Sequence, residues 1–226
     1  MRKKIALVAV SLGMSLILIL LNCILDIAQL TVYAAEPSAD NIKVNSEYII
    51  PDGFDWCTYY VVVATNNTGA DISIQADFTV FDKSGNVLGK SQDYSDAVKK
   101  DQQFILYGQF KNAEIAGAAN YKYSFRVAET DNCTYNSVDV NAVNNGECLQ
   151  VSATNYSEHD IQGVGVRTVF LRNGKAIGFD TVNIADTGYT FHGGSSNSQV
   201  VGHNTGRYDT YILTYTSAGN DVLMDF

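Results

Sequence analysis

At 226 residues the chain has room for one or two domains, and its 14 Tyr, 10 Phe and only 2 Pro favour sheet over helix. The net charge is −9, and setting residues 1–34 aside leaves −11. That charge excludes a nucleic-acid backbone or an anionic bilayer surface as a natural partner, because both repel an acidic protein.

In chain order, residues 1–34 read as an address rather than as part of a fold. Arg2, Lys3 and Lys4 precede an apolar run from Ile5 to Leu25. Val32-Tyr33-Ala34 then supplies a small-residue cleavage site, with the cut between Ala34 and Ala35. The run is also long enough to cross a bilayer. Residues 1–34 are therefore expected to be a signal peptide or an uncleaved membrane anchor, with residues 5–25 the only membrane contact. In both cases the basic end stays in the cytoplasm and the rest lies outside. Lipid attachment at Cys23 is a third option, weakened by Asn22 where a small residue is usual.

Residues 35–41 read as a polar linker. A first module is expected over 42–130 and a second over 131–226. Ile42, Val44 and Tyr48 to Ile50 begin the first, and Pro51-Asp52-Gly53 marks a turn. Tyr59 to Ala64 is a β-rich run that ends in Asn66-Asn67-Thr68-Gly69. Ile72, Ile74, Ala76, Phe78 and Val80 then alternate, as a strand with one buried face does. Asp82 to Asn86 closes a hairpin, and Phe104 to Tyr107 and Tyr121 to Val127 supply further strands. In the second module, strands are expected near Asn132 to Asn144, Leu149 to Ala153, Ile161 to Phe170 and Tyr208 to Tyr215. The Ala-rich stretch Asn112 to Asn120 has the composition of a helical turn.

The two modules are copies. Ala64 to Gly89 aligns with Ala153 to Gly178 without a gap at an offset of 89. The shared residues include Asn66/Asn155, Ile72/Ile161, Thr79/Thr168, Val80/Val169, Phe81/Phe170 and Gly89/Gly178. Further on, Phe104 falls over Phe191 and Tyr121 over Tyr208. Short, regularly spaced strands with turn signals imply an all-β sandwich in each copy.

Cys57, Cys133 and Cys148 lie beyond the leader, where a disulfide can persist. Their odd number leaves at least one thiol unpaired within the chain. Cys133 with Cys148 closes the shortest loop; Cys57 with Cys133 and three buried thiols are the alternatives.

Phe78-Thr79-Val80-Phe81-Asp82, followed by Lys-Ser-Gly-Asn and Val87-Leu88-Gly89, resembles the immunoglobulin-like FxLyD domains of exported bacterial proteins. Val61 to Asn67 fits the strand that precedes this motif. The second copy departs from it, with Arg167 over the Phe and Leu171 over the Asp. The resemblance implies two tandem Ig-like β-sandwich domains at the cell surface, behind the signal or anchor helix. It implies no catalytic residues.

His159, His192 and His203 have no ligand spacing, and Asp82-x-Ser84-x-Asn86 lacks the rest of a calcium loop. There is no Gly-x-Ser-x-Gly elbow, and Cys57 has no histidine in its own module to activate it. No cofactor is implied. The candidate binding residues are aromatic: Trp56, the only tryptophan, with Tyr59 and Tyr60. The expected function is that of an exported, non-enzymatic surface or secreted protein, acting as a spacer or protein-interaction module. The alternative is a module that binds carbohydrate or cell wall through the aromatics near Trp56.

Overall fold

The computed structural model describes residues 36–220. The expected leader, its cleavage site at Ala34 and Ala35, and Cys23 lie outside these residues. Among the described residues there is no α-helix, and no helix is long and apolar enough to cross a membrane.

The first half forms six strands: β1 (Ile42–Pro51), β2 (Cys57–Asn66), β3 (Ile72–Asp82), β4 (Val87–Val98), β5 (Gln103–Lys111) and β6 (Ala118–Glu129). They pair antiparallel as two sheets, β1-β2-β5 and β4-β3-β6. The alternation read in β3 is borne out. Ile72, Ile74, Ala76, Phe78 and Val80 are buried between the two sheets, with Val62, Phe104 and Leu106 opposite. The Ala-rich stretch makes one helical-type turn, in which the Ile115 N–H donates to the Lys111 carbonyl at 3.2 Å, and its residues from Ala118 on join β6. It tucks Ile115 into this core before β6 begins.

The second half follows the same plan. A 3-10 turn at Tyr135–Ser137 leads to β7 (Val138–Asn144), β8 (Leu149–Asn155), β9 (Ile161–Gln162), β10 (Val164–Arg172), β11 (Lys175–Ile184), β12 (Thr190–Phe191), β13 (Ser196–Val201) and β14 (Thr210–Thr216). The sheets β13-β8-β7 and β11-β10-β14 enclose a second core around Leu149, Val151, Val166, Phe170 and Phe191. The fold is an all-β sandwich built twice.

The gapless alignment conceals two compensating shifts. Ile72 and Ile161 are equivalent: each is buried, and each pairs with the strand end that closes the same turn. After them the second half carries one additional residue, Gly163, between β9 and β10, so Val80 corresponds to Phe170 rather than to Val169. Val80 pairs with Gly89 as Phe170 pairs with Gly178. The hairpin loop of the second half is then one residue shorter, which restores the offset at the glycines. A one-residue slip reverses every side chain in a strand. Phe81 accordingly lies on an outer face under Lys122, whereas Phe170 is fully buried. For the same reason Thr168, not Arg167, takes the place of Phe78. Two further alignments are corrected by the pairing. Phe191 pairs with Ile161 as Val98 pairs with Ile72, so Val98 and not Phe104 is its counterpart. Tyr211 pairs with Phe170 as Tyr121 pairs with Val80, so Tyr211 replaces Tyr208.

The described residues belong to one compact unit, and a third core joins its halves. Ile50, Val61, Val63 and Ile105 on the back of β1-β2-β5 meet Val169 and Leu171 on the back of β10, with Tyr59, Tyr107 and Phe179 at the margin. The inner sheets of a four-layer stack are thus buried on both faces. That is why Tyr60 to Ala64 and Thr168 to Leu171 show continuous burial instead of alternation. The docking faces are not equivalent under the repeat, since β1-β2-β5 matches β7-β8-β13. The two outermost faces are polar, with Gln75, Asp77 and Thr79 at one end of the stack and Gln150, Ser152 and Thr154 at the other.

Candidate binding surface

The β1–β2 loop carries the chain's single tryptophan. Asp52 organises it: one carboxylate oxygen accepts from the Trp56 N–H at 2.8 Å and the Phe54 N–H at 3.2 Å. Partial desolvation raises the Asp52 carboxyl, but bonds from Trp56, Cys57 and Phe54 outweigh it and the net shift is downward. Asn112 closes the loop from the other side. Its amide donates to Asp55 at 2.8 Å, and its backbone N–H donates to the Trp56 carbonyl at 2.9 Å. Asp55 adopts the left-handed conformation this turn requires, with φ 58°. On this fixed backbone the Trp56 side chain is 80% exposed and Phe54 66% exposed. Rigid, exposed aromatics bury a large area on contact and lose little entropy.

Beside the loop runs a groove of about 360 Å³. Phe54 and Tyr59 line it from the first half, and Phe179, Asp180 and Asn204 from the second. Asp180 is held by the Gly202 N–H at 2.8 Å. Asn204 lies on a loop whose approach to Gly53 nothing in the sequence signals.

The three expected aromatics separate. Trp56 is at the surface. Tyr59 packs against Phe179 at 5.2 Å between ring centres and presents an edge to the groove. Tyr60 is withdrawn, which corrects its place among the candidates. Adjacent residues of a strand face opposite ways, and Tyr60 is 3% exposed against Phe78 and Tyr121 with its hydroxyl on Glu47.

Among the described residues Cys57, Cys133 and Cys148 are free thiols. The expected Cys133–Cys148 bridge is absent for a geometric reason. Cys133 precedes β7 and Cys148 follows it, and seven extended residues separate the two ends by about 20 Å. A disulfide needs Cα atoms within about 7 Å. Burial pushes the Cys57 thiol upward, away from the thiolate a nucleophile needs. Asp82 accepts from the N–H groups of Ser84 and Asn86, both at 2.8 Å, and so closes its hairpin. Among the described residues no three His, Cys, Asp or Glu side chains converge as a metal centre would require.

No family model matches the chain, and no curated protein matches it. Solved structures show partial likeness, two of them among many being a transglutaminase and a glucuronidase. Red sea bream transglutaminase aligns with a TM-score of 0.29 at 10% identity, over 78% of this chain and 29% of that one. A beta-glucuronidase from glycoside hydrolase family 2 aligns with a TM-score of 0.17 at 13% identity, over 78% of this chain and 22% of that one. The chain therefore spans less than a third of either structure, and likeness at this level carries no functional argument.

Proposed function

We propose that the chain is an exported, non-enzymatic interaction protein, secreted or held at the outer face of the cytoplasmic membrane. Its two FxLyD-like, immunoglobulin-like halves act as one stiff unit that presents the Phe54–Trp56 loop to a surface-protein partner. The observation that carries this reading is the exposed indole on a loop locked by Asp52 and Asn112. An interface anchor combines these features: a large aromatic, a fixed backbone and polar groups at its rim. The raised Cys57 thiol supports the non-enzymatic part.

A cell-wall glycan is the second reading. It is favoured by the groove beside Phe54, where Asp52, Asp180 and Asn204 supply hydrogen-bonding groups next to an aromatic ring.

Both readings are tested by immobilising the full chain and its Trp56→Ala variant and applying a surface-protein extract and purified wall polysaccharide. Trp56 is the sole indole, so its emission also reports contact directly. Protein retained by the parent chain and lost in the variant supports the first reading, and polysaccharide lost in the variant supports the second. Retention that is indifferent to Trp56→Ala would overturn both.

A further inference from the structure

The aromatic seam between the two halves holds a cation at one end and none at the other. Phe179 joins two further rings, lying 4.7 Å from Tyr107 and 5.2 Å from Tyr59, centre to centre. At the Tyr107 end, the Arg167 guanidinium lies 5.2 Å from the ring centre and pairs with Asp93 at 2.7 Å. A ring and a carboxylate together hold a guanidinium there, because the ring quadrupole and the full charge both attract it.

At the Tyr59 end the row borders the groove beside the Phe54–Trp56 loop. Two carboxylates line this groove, Asp52 from the first half and Asp180 from the second. Among the described residues no Lys, Arg or His lines it, and neither carboxylate has an ion-pair partner. Both residues are half-buried, so neither is sealed from solvent. A carboxylate has about four acceptor positions. Asp180 uses one on each oxygen, for the Thr181 and Gly202 N–H groups, both at 2.8 Å. Asp52 is more engaged, since it holds the loop through Trp56, Phe54 and Cys57. Asp180 therefore carries most of the free capacity.

A neutral ligand would leave both charges uncompensated, in a chain whose net charge is already −9. A cation that also stacks on rings meets the whole demand. Guanidinium does so better than ammonium, because it is planar and presents five N–H donors as a fork. The groove, about 360 Å³, is at the small end of ligand sites, which suits a single side chain. We propose that this groove takes an arginine side chain of the surface-protein partner. Its guanidinium is held by Asp180 and Asp52 and lies against Tyr59, as that of Arg167 is held by Asp93 and lies against Tyr107. The nature of the partner rests on the surface-protein reading of the Trp56 loop.

The test is an NMR titration of the full chain, kept in a polyoxyethylene detergent at constant ionic strength. The probes are acetyl-Gly-Arg-Gly-amide, its lysine and citrulline counterparts, and glucose. Citrulline keeps the shape of arginine and lacks its charge. The amide signals of Phe179, Asp180 and Thr205 report on the groove. The arginine peptide should shift them with a Kd on the order of 5 mM. The lysine and citrulline peptides should each bind about fivefold more weakly or less, and glucose should shift nothing. Asp180→Asn keeps an acceptor for the Gly202 N–H and should weaken the arginine peptide about tenfold. The citrulline comparison is made on the parent chain, so it stands whether or not the variant folds. Equal binding of the arginine peptide and either counterpart would overturn the assignment. So would no saturation up to about 50 mM, or groove shifts with glucose in place of the arginine peptide. A failed titration beside retention that is lost in Trp56→Ala would leave the loop reading standing without the arginine. Arginine binding beside retention indifferent to Trp56→Ala would support the groove and remove the loop as the anchor.

Discussion

Arg167 of the second half holds Asp93 of the first by a two-point ion pair, with contacts of 2.7 and 2.8 Å. Their side chains are 15% and 13% exposed. The same guanidinium donates to the Ile105 and Tyr94 carbonyls and lies 5.2 Å from the centre of the Tyr107 ring. Burial pushes the Asp93 carboxyl up, and the Arg167 charge opposes it. Removing one partner strands the other in a desolvated place. Arg167→Ala is therefore expected to destabilise the protein by about 3 kcal/mol in urea unfolding. Replacing both partners by leucine should recover most of that loss, because no charge is left without a partner. A double variant as unstable as the sum of the singles would show that the pair does not couple the halves.

Val61 and Val62 are neighbours in β2 with opposite duties. Val62 points into the first sandwich, and Val61 points across to Val169 and Leu171. Both are fully buried. Val61→Ala and Val62→Ala should therefore destabilise alike, by about 2 kcal/mol each. Two separable sandwiches would predict a near-neutral Val61→Ala, since that residue would face solvent. Urea unfolding followed by tyrosine fluorescence and by circular dichroism should give one coincident transition. Two resolved steps would contradict the shared core.

Asn66 and Asn155 form the same buried knot in each half. The Asn66 amide donates to the carbonyls of Ala70 and Val98, and its oxygen accepts from the Thr68 N–H and hydroxyl. Asn155 repeats this with His159, Phe191 and Ser157. Each change to alanine should cost about 3 kcal/mol, because several buried backbone groups lose their partner at once. Asn67→Ala, at the exposed neighbouring position, should stay within about 0.5 kcal/mol of the parent. Equal effects at Asn66 and Asn67 would remove the knot as a cause.

These residues also show what the sequence can disclose. The Asn66/Asn155 match marked equivalent positions because the side chain there bonds its own turn and one strand end. The alternation of β3 was readable because a single face of that sheet is buried. The third core was not readable in the same way. Val61-Val62-Val63 is apolar throughout because both faces are covered, and an unbroken apolar run names neither covering layer. Gly163 was hidden by the shorter hairpin that compensates it, so Phe81 and Phe170 matched in sequence while facing opposite ways. Arg167 in the middle of an otherwise apolar strand was the one visible sign of docking. Its partner Asp93 lies in the polar run Ser91 to Asp96, where no apolar alternation sets one face of β4 apart. The Trp56 loop was visible from composition, whereas the groove beside it depends on a distant loop at Asn204.

The loop around His192 should respond to pH in a defined window. His192 Nδ1 lies 2.8 Å from Asp186, and Nε2 lies 3.9 Å from Asp160. Asp186, through its hydrogen bond and its charge, raises the His192 pKa above the ordinary value of about 6.5. Bonds from Ser195 and His192 draw Asp186 down to about 2. The histidine's contribution to loop stability is therefore complete below about pH 6.5. It is lost as pH rises through the raised value. The aspartate's contribution is complete above about pH 4 and is lost as pH falls through its depressed value. Between these limits, amide exchange at Gly193 and Ser195 should be slowest once corrected for its intrinsic pH dependence. An NMR titration of the His192 ring should place its midpoint above that of a free histidine, and Asp186→Asn should bring the midpoint down. A midpoint at or below about 6.5 in the parent chain would show that neither aspartate holds the ring in solution.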